Sequence, residues 1–148
     1  MKKNKRRVYL AGSMAARPVW EVLLERLIAR RECSFVGLAS YDPAKNELEH
    51  LDRRCRISSS YNIKTMKNFV RKDEAALDRC QAVLVITGDR SSDGTSWEMA
   101  RAYYHLNIPI VVVSDRRRKG KLMGFTNIKA TKLVSTIKEG VDWIVEHT

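Results

Sequence analysis

Four runs rich in apolar and β-branched residues, Arg7 to Ala11, Ser34 to Ala39, Ala82 to Thr87 and Ile108 to Val113, are separated by stretches with apolar residues at helical spacing. Strands with long helical stretches between them cannot be joined as tight hairpins. They pair in parallel through right-handed crossovers, and the crossover helices cover the sheet. The expected fold is therefore a small, doubly wound α/β domain of the flavodoxin-like or Rossmann-like kind, with a mostly parallel sheet and helices on both faces.

The helical stretches carry their own signals. Pro18 suits a first helical turn, and Val19, Leu23, Leu24, Leu27 and Ile28 then recur on one face. A second helix is expected from about Thr65 to Arg79 and a third from Ser96 to Leu106. Leu133, Val134, Ile137, Val141 and Ile144 predict a closing amphipathic helix in spite of Gly140. Tyr41 to Tyr61 is polar and aperiodic, and no element is assigned to it.

At 148 residues the chain has the size of one domain, with residues 1–6 as a basic tail. Its 28 Lys and Arg against 17 Asp and Glu give a formal charge of +11, which favours anionic partners such as nucleotides. The basic residues cluster in runs such as Arg116-Arg117-Arg118-Lys119, which read as solvated surface. No aromatic residues interleave with them, so nucleic acid is a possible but not a favoured partner. Cys33, Cys55 and Cys80 are an odd number without metal-ligand spacing, as expected of reduced cysteines in the cytoplasm. Val8 to Ala11 is too short for a signal-peptide core, and no run is long enough to span a membrane. His50, His105 and His147 form no ligand pattern and no triad, so neither a metal nor a cofactor is expected.

The segment with the most chemistry is Ser92-Asp93-Gly94-Thr95-Ser96-Trp97-Glu98-Met99-Ala100, a short loop after the run Ala82 to Thr87. It reads as a turn into a helix that Thr95 or Ser96 caps, with Glu98 in the first turn at the carboxyl edge of the sheet. That edge is where open α/β sheets bind ligands, and a helix N-terminus favours an anion there. An ionised Glu98 so placed could act as a nucleophile. Alternatively, Thr95-x-x-Glu98 is no more than a capping box.

The order of three motifs resembles the nucleoside 2-deoxyribosyltransferase-like family. They are Val8-Tyr9-Leu10-Ala11-Gly12-Ser13, Asp73 placed eight positions before Gln81, and Gly94-Thr95-Ser96-Trp97-Glu98-Met99-Ala100 followed by a helix and the strand to Val113. The resemblance implies cleavage of an N-glycosidic bond, by hydrolysis or by transfer to another base, through a covalent glycosyl-glutamate. It implies Glu98 as nucleophile, Asp73 as the contact to the leaving base or its proton, and Tyr9 as the group that orients Glu98. In many members an aspartate stands six positions before the glutamate. Ser92 occupies that place here, with Asp93 one step closer, and Gln81 replaces an aspartate that commonly opens the central strand.

The chemistry is sound on general grounds. A carboxylate is a suitable partner for an oxocarbenium-like centre, and a nearby acid that protonates the departing base contributes on the order of a hundredfold or more. Gly12, Ser13 and Arg17 could cradle a 5′-phosphate, with Ser91 and Ser92 assisting, and the resemblance implies Asp93 and Gly94 as further substrate contacts, Asp93 toward the sugar hydroxyls. The family includes a branch that hydrolyses nucleoside 5′-monophosphates. Alternatively, Ser13 caps a helix and Arg17 faces solvent. Trp97 is expected to be core or pocket wall, where it could stack on a base. Members of the family commonly complete their pockets at a subunit interface, so a homodimer or larger homo-oligomer is expected. A second class of function is a sensor or inhibitor domain that binds a nucleotide without turning it over.

Overall fold

Strand β3 (Ala82–Ile86) is buried at every residue, as a run of Val, Leu and Ile without alternation requires when both faces of a parallel strand are covered. Around it a computed structural model describes residues 5–12, 32–37, 63–86, 93–113 and 130–148. The described elements are β1 (Arg6–Gly12), β2 (Cys33–Val36), α1 (Ile63–Asp78), β3, α2 (Asp93–Ala100), β4 (Ile110–Val113), β5 (Lys132–Val134) and α3 (Ile137–His147). The five strands form one sheet in the order β2-β1-β3-β4-β5, parallel throughout. This is the expected doubly wound α/β fold. The expected helix from Val19 to Ile28 and the segment Tyr41 to Tyr61 lie outside the described residues.

Side chains alternate along β1, β3 and β4, which divides the core in two. Val8, Leu10, Leu84, Ile86, Val111, Val113 and Val134 face α3, which contributes Ile137, Val141 and Ile144. Tyr9, Ala11, Val83, Val85, Ile110 and Val112 face the other way, toward Leu77 of α1 and toward Met99 and Ala102. Gln81, just before β3, fastens the start of this sheet. Its backbone N–H donates to the Arg7 carbonyl at 2.8 Å, and its side-chain Oε1 accepts from the Arg7 N–H at 3.0 Å. No helix among the described residues is long and apolar enough to cross a membrane.

Two elements differ from the expectation. Leu133 and Val134 belong to β5 and not to the closing helix: they pair with Val112 and Val113 of β4. The helix starts at Ile137 because Thr136 caps it, its hydroxyl accepting from the Glu139 N–H at 3.1 Å. The helix expected from Ser96 to Leu106 begins earlier, at Asp93, and changes at Arg101–Leu106 into a π-helical turn. That turn closes with the Asn107 N–H donating to the Ala102 carbonyl. Asn107 takes the left-handed conformation (φ 52°, ψ 40°) that asparagine tolerates, two residues before Pro109.

Candidate active site

In this strand order the chain runs from β1 outward to β2 on one side and from β3 outward to β4 on the other. The crevice between the carboxyl ends of β1 and β3 is therefore the topological switch point, where doubly wound sheets bind ligands. Gly12 ends β1 there, opposite Ile86. The two strands close so tightly that a Cβ on Gly12 would lie 2.6 Å from the Ile86 carbonyl oxygen, which leaves glycine as the one residue that fits.

Tyr9 of β1 is fully buried, and its hydroxyl donates to Oε1 of Glu98 on α2 at 2.7 Å. Among the described residues Oε2 of Glu98 accepts no hydrogen bond. Burial, followed by the charges of Glu98 and Asp73, holds the Tyr9 phenol far above the ordinary range of tyrosine, so it acts here as a neutral donor. Burial pushes Glu98 up to about 7; the Tyr9 hydrogen bond pulls the other way, and the charge of Asp73 adds to the rise. Asp73, on α1, is itself raised to about 6 by burial. The two carboxyl groups thus titrate as an interacting pair near neutrality, above the usual carboxylate range.

This arrangement changes the sequence reading of Glu98 in two ways. Thr95 is the third residue of α2 and not its cap, so the Thr95-x-x-Glu98 capping box does not form. Glu98 is the sixth residue of the helix, in the second turn, whereas the effect of a helix N-terminus fades within the first. What acts on this carboxyl group is burial first, then the Tyr9 hydrogen bond and the charge of Asp73.

Trp97 is not a core residue. It is 63% exposed, because the residue before an inward-facing glutamate is turned about a quarter of the way around the helix, and its Nε1 donates to Glu74 of α1 at 3.3 Å. One turn further on, Arg101 makes a two-pronged pair with Asp78 at 2.8 and 2.9 Å. Residues 74 and 78 on α1 thus meet residues 97 and 101, tying together the two helices that carry Asp73 and Glu98. Sequence reasoning missed these links, although Glu74 and Asp78 are spaced four apart, as are Trp97 and Arg101. Asp93 and Gly94 form the first turn of α2, while Ser13, Arg17 and Ser92 lie outside the described residues.

A partly buried carboxyl group near its midpoint, held on one oxygen by a neutral donor and feeling the charge of a second carboxyl group, can serve as nucleophile or as proton carrier. No protein-family model matches the chain, and no curated protein sequence matches it significantly. The fold is similar to the crystal structure of a conserved protein from Enterococcus faecalis V583, with a TM-score of 0.65 and 16% identity over 98% of this chain and 100% of that one. At that identity the likeness bears on the fold alone.

Proposed function

We propose that this protein cleaves the N-glycosidic bond of a nucleoside or a nucleoside 5′-monophosphate through an ester between the sugar and Glu98. The observation that carries the reading is the Tyr9 hydrogen bond to one oxygen of Glu98, with the other oxygen left without a protein partner among the described residues. That oxygen attacks the anomeric carbon. The bond to the base nitrogen breaks, its electron pair leaves with the base, and Asp73 supplies the proton. Water or a second base then attacks the same carbon. The ester bond breaks, its electron pair returns to Glu98, and Asp73 takes up the proton of the attacking group.

The proton balance suits this cycle. Tyr9 favours ionised Glu98 by donating to it, while a base nitrogen beside Asp73 would favour its protonated form. The role of Gly12, Ser13, Arg17 and Ser92 toward a 5′-phosphate, of Asp93 and Gly94 toward the sugar, and of Trp97 toward the base is part of the same proposal. So are a cytoplasmic location and assembly into a homo-oligomer, the latter checked by sedimentation at micromolar concentration. Incubation with a panel of nucleosides and their monophosphates, followed by chromatography for free base, tests the reaction. Release that disappears in Glu98→Ala is the expected result. Tight binding without release, unchanged in Glu98→Ala, would make the protein a nucleotide sensor instead.

A further inference from the structure

Gly37, the residue after β2, carries no signal in the sequence, yet it touches the Tyr9 ring from the neighbouring strand's end. Its φ of +107° lies where side chains are strained. A Cβ at this position would stand 2.9 Å from the Leu10 carbonyl oxygen and 3.0 Å from both Cε2 and Cζ of Tyr9. Cζ is the ring carbon that bears the hydroxyl. A methyl group on residue 37 would thus press on the hydroxyl end of the tyrosine, which would have to give by a few tenths of an ångström.

The ring has little room to retreat. Tyr9 is fully buried in the cluster that holds Leu77, Val83 and Met99, and its oxygen is already 2.7 Å from Glu98. We propose that Gly37 is a positioning residue for Glu98: its lack of a side chain sets where the Tyr9 ring lies, and so whether the hydroxyl meets the carboxylate. Among the described residues, the titratable groups acting on Tyr9 and Glu98, besides each other, are Asp73 from α1 and Cys80 from the turn after it. None of these comes from β2, and the contact from a methyl group at residue 37 to Glu98 runs through the ring. The inference rests on the Tyr9–Glu98 bond and not on what Glu98 attacks.

The test is the titration of the Glu98 carboxyl carbon by NMR in the full chain, assigned with Glu98→Gln, for Gly37→Ala in the presence and absence of Tyr9→Phe. Gly37→Ala should raise the proton affinity of Glu98 severalfold, up to the tenfold or more expected for losing a charge-assisted hydrogen bond. In the Tyr9→Phe background it should change nothing. An equal shift in both backgrounds, or no shift in a folded Gly37→Ala protein, would overturn the proposal. If Gly37→Ala does not fold, Tyr9→Leu combined with it should restore folding by removing the ring that the methyl group strikes. A double variant that also fails to fold would assign the whole effect to the backbone and refute the role. Because the readout is a titration, it is decided whether or not any base is released.

Discussion

Replacing Glu98 by glutamine should stabilise the protein increasingly as the pH rises. The carboxyl group ionises at its ordinary value of 4.5 in the unfolded chain but at about 7 in the folded protein, because burial opposes the charge. Below 4.5 both states are protonated and the group is neutral toward stability. Between 4.5 and about 7 the unfolded chain gives up its proton first, so wild-type stability falls with each step in pH and levels off above the folded midpoint. At about 1.4 kcal/mol per pH unit the accumulated loss is roughly 3 kcal/mol. Glutamine keeps the size and the acceptor for Tyr9 but has nothing to ionise. Asp73 titrates in both proteins and cancels to first order. Urea unfolding of the two proteins at pH 4, 6 and 8 measures the difference, which should grow by about 3 kcal/mol across the series. A constant offset from altered packing would not matter, since the slope is what carries the argument. A difference that is flat with pH, or that moves against the glutamine variant as pH rises, would mean that the fold accommodates Glu98 as a stable anion and would refute the burial argument.

Tyr9→Phe should raise the Glu98 midpoint above its value of about 7, by about one to two pH units, since a hydrogen bond to a charged group is worth about 1.5 to 3 kcal/mol. A midpoint that stays put or falls would show that Tyr9 does not favour the anion. In α3, Gly140→Ala should lower the urea midpoint: the added Cβ would lie 2.8 Å from Cδ1 of the fully buried Leu84, and overpacking of about 1 to 3 kcal/mol outweighs the ~1 kcal/mol that alanine gains in a helix. An unchanged or higher midpoint would mean that Leu84 yields freely. Arg17→Ala should remove most of any preference for a nucleoside 5′-monophosphate over its nucleoside, a loss of about tenfold to a hundredfold in affinity, measured by calorimetry at two salt concentrations. Equal affinity of the wild-type protein for both ligands at moderate salt would remove the phosphate from the proposal.

The sheet was legible because its central strands are buried on both faces: Ala82–Ile86 and Ile110–Val113 can be little else than strands of a covered parallel sheet. β5 was hidden because three residues are too few to show a period, and Leu133-Val134 extends the helical spacing of Ile137 and Val141 by coincidence. The chain holds two Thr-x-x-Glu motifs, at Thr95–Glu98 and Thr136–Glu139. Only the second forms a cap, with Glu139 Oε2 also accepting from the Ser135 N–H at 3.2 Å. What separates them is tertiary: Tyr9 waits opposite Glu98 on a strand far away in sequence, and no local pattern records that. The contact of Tyr9 with Glu98 was implied by the family resemblance and by no spacing within the chain. The contact of Gly37 with Tyr9 was not, because it depends on the register that sets Tyr9 beside Val36.

The sequence distance across the central strand pair also sets a timetable. The side chain of Gln81 holds the backbone of Arg7 from 74 residues away, and the Tyr9–Glu98 bond spans 89. At a synthesis rate of about 5 to 20 residues per second, β1 leaves the ribosome roughly 4 to 15 s before its partner β3 does. For that time Val8, Tyr9 and Leu10 form an apolar strand with one edge unpaired, a natural substrate for a chaperone. Any nascent fragment that stops short of α2 lacks the site altogether. The Tyr9–Glu98 pair therefore forms late, when the second half of the sheet closes on the first.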